Sequence, residues 1–367
     1  MKRKGLIGAV AGVAAAGVAA AVAAERFAVG RIRLRPDPEA GEPLGALRGS
    51  PRSVTAPDGT ELYVEVDEPE TAPAAGEPTV VFCHGYALNL DSWHYQRRAL
   101  REQGLRLVFW DQRDHGRSGR TEDDTVDIDR LGADLVTVLD AVVPKGPVVL
   151  VGHSMGGMTV MALAAARPDL FAGRGPSAPR VVAVALVGTS SGRLDEVRLG
   201  LPMVVGKVFQ STAGPVLRAL GRTPGLVERG RSAGGDLAFL LTRRFGFGDP
   251  SVSPTVVDFL EQMIRSTPIE TIARFWPALM AHDKLEVLEQ RLSAVPTVII
   301  CGERDLITPI EHSEAMSAAL PGAEFVRVSD AGHIVLMERP DLVNEALVRL
   351  IDSARRPSRR FRLWRSA

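Results

Sequence analysis

Six short apolar runs, most of them followed by residues at helical spacing, constrain this chain more than any other feature. They cover residues 79–83, 105–110, 148–152, 181–187, 297–301 and 324–328. Runs this short, most of them rich in Val, Ile and Leu, read as buried strands. Helical spacing follows at residues 128–143, 155–167, 311–320 and 341–354. Such alternation predicts an α/β fold with a mostly parallel sheet and helices on both faces. Upstream, residues 52–56 and 60–66 alternate around the turn pair Asp58-Gly59, which predicts a β-hairpin and raises the expected sheet to eight strands. Between residues 189 and 295 the alternation stops for about 105 residues, too long for a structureless loop in a compact domain. The apolar patches 199–209 and 237–241 predict an inserted, mainly helical cap there. The expected organisation is a core of 52–190 and 296–353, a cap of 191–295, and a Pro- and Gly-rich linker at 36–51.

Charge adds a second constraint. The chain carries 44 Lys plus Arg and 44 Asp plus Glu, a formal net charge of zero. That total hides a partition: residues 1–35 carry +6, residues 354–367 carry +6, and the body between them carries −12. An acidic body repels phosphates, so nucleic acid is not an expected partner. Residues 5–24 contain no charged or polar side chain, and twenty helical residues at ~1.5 Å each match a bilayer's hydrocarbon thickness. A membrane-associated chain held by a single N-terminal segment, residues 1–35, is therefore expected, with a lipid membrane as partner. The other reading of that run is a signal cleaved near Ala23 before secretion. The basic tail, 354–367, either lies on the same lipid surface or is solvated.

The chemistry is concentrated in Gly152-His153-Ser154-Met155-Gly156-Gly157. It is a G-x-S-x-G string between a predicted strand and a predicted apolar helix. A serine on so sharp a turn leaves no room for side chains two residues away, which accounts for Gly152 and Gly156. Ser154 then stands over the carboxyl edge of the sheet as the candidate nucleophile, and the Met155 N–H opens the helix as a candidate oxyanion donor. A serine at its free pKa needs a base held by a third group. The expected chain order is serine, acid, histidine. Asp305 follows the run 297–301 and His333 follows 324–328, both beyond strand carboxyl ends where ligands of open α/β sheets bind. His333 is the expected base and Asp305 its partner, with Glu303 as the rival acid. In the loop after the first parallel strand, Gly85 permits close backbone approach and the Tyr86 N–H is the second candidate oxyanion donor. His84 reads as a supporting residue that hydrogen-bonds loop backbone. The other histidines show no metal-ligand spacing, so no metal site is expected.

These motifs, H-G-Y at 84–86, D-Q-R-D-H-G-R-S at 111–118, G-H-S-M-G-G at 152–157, G-E-R-D at 302–305 and G-H at 332–333, resemble the α/β-hydrolase fold superfamily. The similarity is to the branch of serine esterases, lipases and cofactor-free haloperoxidase-like enzymes, over about residues 52–352. One departure is Asp114, where the family commonly has glycine. The family's strand order would put two strands between Cys83 and Cys301. Three spacings of ~4.8 Å then separate them by about 14 Å, which excludes a disulfide.

The resemblance implies a serine hydrolase cleaving carboxylic esters through a Ser-His-Asp triad, with no cofactor. The apolar and aromatic residues of the insertion, among them Phe209, Phe239, Phe245, Phe247, Phe259, Phe275 and Trp276, suit an apolar acyl group or form the insertion's own core. A thioesterase, amidase, C–C bond hydrolase or perhydrolase would use the same triad. A non-catalytic binding protein is the reading from a different class, which the intact triad disfavours.

Overall fold

The computed structural model describes residues 26–355 apart from 28, 72, 73, 75, 123–125, 172–179, 202, 226 and 228–234. Eight strands form one sheet: β1 (Ser50–Thr55), β2 (Glu61–Asp67), β3 (Thr79–Cys83), β4 (Leu107–Trp110), β5 (Val148–His153), β6 (Val181–Val187), β7 (Thr297–Gly302) and β8 (Glu324–Val328). Their order is β1-β2-β4-β3-β5-β6-β7-β8. The β1–β2 and β2–β4 pairs are antiparallel, and every other pair is parallel. The hairpin closes at Asp58-Gly59, where Gly59 takes a φ of 86° and its N–H donates to the Ala56 carbonyl. A positive φ of this kind costs glycine nothing.

Nine helices carry labels: α1 (His94–Glu102), α2 (Ile128–Val142), α3 (Met155–Ala166), α4 (Met203–Gly221), α5 (Gly235–Gly246), α6 (Pro254–Ser266), α7 (Ile269–Met280), α8 (Ile310–Ala319) and α9 (Pro340–Arg355). The four helices α4 to α7 lie between β6 and β7, so the long gap in the strand–helix alternation is occupied by helices. Strands β3, β4, β5 and β7 are buried along their whole length. One core cluster packs Val80, Phe82 and Val149 with Leu347 of α9, and a second packs Val81, Val108 and Leu150 with Leu135 of α2 and Leu163 of α3. Each fully buried Val or Leu contributes about 1.5–3 kcal/mol. Helix α3 is buried at every position from Met155 to Ala164, the pattern of a helix at the centre of a domain. It meets α2 where Gly132 touches Ala162; a Cβ on Gly132 would come within 2.8 Å of the Ala162 backbone. Cys83 and Cys301 are buried free thiols, with β5 and β6 between their strands.

The chain before β1 lies along the body. Val29 and Ile32 are buried in the same cluster as Phe239 of α5 and Val256 of α6. Arg33 pairs with Asp258 at 3.1 Å, and the Asp37 carboxylate accepts from Ser253 and Thr255 at the start of α6. Further on, Glu42 pairs with Arg98 of α1 at 2.7 Å, and the Gly49 N–H donates to Glu65 of β2. The expectation of a membrane-associated chain is corrected by these contacts. Among the described residues no helix is long and apolar enough to cross a membrane; of the apolar side chains that follow the N-terminal run, Val29 and Ile32 are buried against protein, while Phe27 and Leu34 are exposed. The run 5–24 itself and the tail from 356 on lie outside the described residues. A lipid membrane is not a partner that this structure supports.

Glu65 and Asp67 of β2 form a buried charged cluster with α1. Arg97 donates to both Asp67 carboxylate oxygens at 2.7 and 2.8 Å and lies 2.7 Å from Glu65. Arg101 adds a second guanidinium to Asp67. Burial pushes the Glu65 carboxyl up, but the Gly49 N–H and the Arg97 guanidinium outweigh it and hold it below the usual carboxylate range. Removing one partner of a buried pair strands the other charge at a cost of about 3–5 kcal/mol. Arg97→Met is therefore expected to lose about that much stability, read as the shift in urea midpoint. A loss under about 1 kcal/mol would place the pair among interactions that water screens.

Candidate active site

The site grows out of the turn between β5 and α3. Ser154 sits there with φ 52° and ψ −119°, a conformation that costs a non-glycine residue about 1–3 kcal/mol and is held by its surroundings. The Ser154 N–H donates to the Val187 carbonyl of β6, and Thr189 donates to the Ser154 carbonyl at 2.6 Å. A Cβ on Gly152 would lie 2.5 Å from the Gly156 carbonyl oxygen, and one on Gly156 would fall on the Cys83 carbonyl. These two glycines let the strand, the helix and the end of β3 converge on one serine. Met155 is the first residue of α3, so its N–H has no acceptor within the helix. On the other side, a Cβ on Gly85 would meet His153 Nδ1 at 2.8 Å and Ser154 Cβ at 3.3 Å. This close approach sets the Gly85–Tyr86 backbone beside the serine.

Two later loops complete the arrangement. His333, beyond β8, places Nε2 at 3.0 Å from Ser154 Oγ and Nδ1 at 2.8 Å from Asp305 Oδ2. Asp305, beyond β7, accepts the Ile307 and Thr308 N–H groups on Oδ1 at 2.8 and 2.9 Å. The Thr308 hydroxyl donates to Oδ2. Asp305, His333 and Ser154 are 4%, 5% and 8% exposed, which keeps the chain of hydrogen bonds away from bulk water while the serine faces a cavity. Glu303 points elsewhere: its carboxylate accepts from Arg327 and Ser329 near the surface.

The supporting residues link these loops. His84 is fully buried; Gln112 N–H donates to its Nε2 at 2.9 Å, and its Nδ1 lies 2.8 Å from the Gly85 carbonyl. Burial and the neighbouring His115 push His84 down to about 3, so it is a neutral ring that donates to loop backbone. His153 is likewise neutral, pushed down to about 3 by burial and the nearby His333, and its Nε2–H donates to the His333 carbonyl at 3.1 Å. Glu338 accepts the Gly332 N–H and the Gly248 N–H, tying the His333 loop to the insertion. Sequence reasoning passed over both. His153 is marked by its place beside the serine, whereas Glu338 has no local signal.

The helical segment between β6 and β7 is fastened to the loop after β3 by α7 and the residues just before it. The Tyr86 hydroxyl donates to the Ile272 carbonyl, and the Thr267 hydroxyl to the Ala87 carbonyl. Asp114, at φ 64°, pairs with Arg274 at 3.3 Å. That φ is one glycine adopts freely, and the Asp114 carboxylate reaches a partner glycine could not. Beside Ser154 lies a cavity of about 580 Å³ whose walls include Met158, Phe245, Trp276, Leu279 and the Tyr86 ring. Of the insertion's aromatic residues, Phe239, Phe247 and Phe275 are core side chains, while Phe245 and Trp276 line this cavity. The Phe209 side chain lies outside the described residues.

An elbow serine over the carboxyl edge of such a sheet, with a histidine and a carboxylate from later loops, defines the α/β-hydrolase class. The family model of the α/β hydrolase fold matches residues 78–340, and the chain belongs to that family. It is similar to the bifunctional esterase/perhydrolase DCH of Acinetobacter calcoaceticus, 34% identical over 116 residues, 32% of this chain and only 40% of that protein. It is also similar to a non-heme haloperoxidase of Rhodococcus erythropolis, 27% identical over 82% of this chain and 99% of that one. In structure it resembles an esterase from Exiguobacterium antarcticum, with a TM-score of 0.63, 20% identity, and coverage of 82% of this chain and 98% of that one.

Proposed function

We propose that this protein is a serine hydrolase of carboxylic esters with an apolar acyl group. The observation that carries the reading is the unbroken hydrogen-bonded line from Asp305 through His333 to Ser154, ending at an apolar cavity. Ser154 Oγ attacks the acyl carbon while its proton passes to His333 Nε2. Asp305 holds the Nδ1 proton and stabilises the imidazolium. The Met155 and Tyr86 N–H groups receive the charge that develops on the carbonyl oxygen. Collapse breaks the bond to the alcohol oxygen, which leaves with the proton from Nε2. A water molecule then gives a proton to Nε2 as its oxygen attacks the acyl carbon; collapse breaks the bond to Ser154 Oγ, which takes the Nε2 proton back, and the acid is released. The relatives' names favour a second reading on the same acyl-enzyme: attack by hydrogen peroxide in place of water, giving a peracid and free Ser154.

Phenyl acetate, butyrate, octanoate and dodecanoate test the proposal. Phenol release is expected throughout, with kcat/KM rising about ten-fold or more from acetate to octanoate as methylenes enter the cavity. An intact protein that turns over none of the four would overturn it.

A further inference from the structure

Two cavities, not one, meet at Ser154. The large one of about 580 Å³ is walled almost entirely by apolar side chains. A second, of about 130 Å³, has the same serine in its wall. Ser154, Tyr86, Phe245 and Ile307 border both, so Phe245 and Ile307 form the partition between them. The His333 ring borders the small cavity and not the large one.

That asymmetry has a chemical consequence. In acylation the proton taken from Ser154 resides on His333 Nε2 and must reach the oxygen of the departing alcohol. The alcohol therefore leaves on the side that the imidazole borders, and the acyl chain extends away from it. We infer that the small cavity receives the alcohol and the large one the acyl chain, so that the substrates are apolar acids esterified to short alcohols. This rests on the ester-hydrolase reading and narrows it. An apolar cavity of ~150 Å³ holds one benzene ring, so the alcohol side accepts groups up to about a phenyl ring. Leucine and isoleucine side chains, Leu260 and Ile264 of α6, supply part of its wall. Esters and thioesters whose leaving group is a long chain or a bulky carrier do not fit.

Methyl decanoate and decyl acetate test the assignment, because they carry chains of matched length on opposite sides of the ester. The expected result is a kcat/KM at least about ten-fold higher for methyl decanoate, a factor that a pocket readily supplies through a few methylenes. A ratio below ten, with phenyl octanoate still hydrolysed, overturns the partition alone. Failure to hydrolyse phenyl octanoate, with no fluorophosphonate labelling, overturns the ester reading as well. Two wall substitutions give an independent check. Ile264→Ala should raise butyl decanoate relative to methyl decanoate and leave the acyl-length profile in place. Leu279→Phe, in the large cavity only, should shorten the preferred acyl chain and leave the butyl-to-methyl ratio in place. If instead Ile264→Ala shifts acyl length, or Leu279→Phe shifts alcohol length, the assignment is reversed and the proposal falls.

Discussion

Ser154→Ala is expected to lower kcat for phenyl octanoate by about 10⁵–10⁶-fold, the scale of loss when a triad serine is removed. Labelling by a fluorophosphonate should vanish with it. The argument is geometric. Ser154 Oγ is 3.0 Å from His333 Nε2 and borders both cavities. No other hydroxyl described at the site has this place; the Thr308 hydroxyl, 3.3 Å from His333 Nδ1, already donates to Asp305. The fold should survive the change. Alanine tolerates the strained turn no worse than serine, and the backbone bonds from Ser154 N–H to Val187 and from Thr189 to the Ser154 carbonyl are unaffected. The thermal midpoint should therefore stay within a few degrees, a shift of about 1 kcal/mol or less. Retained turnover in a folded variant would move the nucleophile elsewhere.

Those parts of the molecule that sequence made legible are the ones written in local pattern. The runs around Val81, Leu150 and Ile299 announce buried strands because a central parallel strand has no polar face to alternate with. Asp58-Gly59 announces its hairpin because the turn needs a residue at ease with positive φ. The G-x-S-x-G string announces the elbow because steric exclusion at Gly152 and Gly156 is a condition of that turn. Asp305 and His333 could be placed after two late strands without knowing that their loops converge; the structure brings them within hydrogen-bond reach of each other. What stayed hidden depends on contacts distant in sequence. The N-terminal expectation rested on an apolar run and a charge balance. Neither reveals that Val29 and Ile32 bury against helices more than 200 residues away. Helix α1 was not read as a helix, because its polar face is spent on internal partners: Arg97 and Arg101 serve Asp67 of β2. Asp114 reads as an isolated departure from glycine because its partner, Arg274, lies 160 residues further along the chain.

Asp305→Asn is expected to cost about 10⁴-fold in kcat, through the wrong histidine tautomer. In the wild type, Oδ1 is committed to the Ile307 and Thr308 N–H groups, which leaves Oδ2 to face His333 Nδ1. An asparagine must keep its carbonyl oxygen toward those two donors, since its amide nitrogen cannot accept from them. The NH₂ group then replaces Oδ2 and donates toward Nδ1. His333 can satisfy it only by carrying its own proton on Nε2, the nitrogen that faces Ser154 Oγ. A ring protonated there cannot take the serine's proton, although every heavy atom remains near its place. The Thr308 hydroxyl can turn to the backbone or to solvent, so the fold should be little affected. Glu303→Gln supplies the comparison. Glu303 is engaged with Arg327 and Ser329 and not with His333, so this variant should keep the wild-type kcat and change stability by no more than about 0.5 kcal/mol. Wild-type rates in Asp305→Asn together with a collapse in Glu303→Gln would transfer the acid's role to Glu303. Fluorophosphonate labelling separates a wrong tautomer from a displaced serine. With Asp305→Asn, labelling should be slow at neutral pH yet reach the same final extent, since the serine and the backbone N–H groups beside it are still in position.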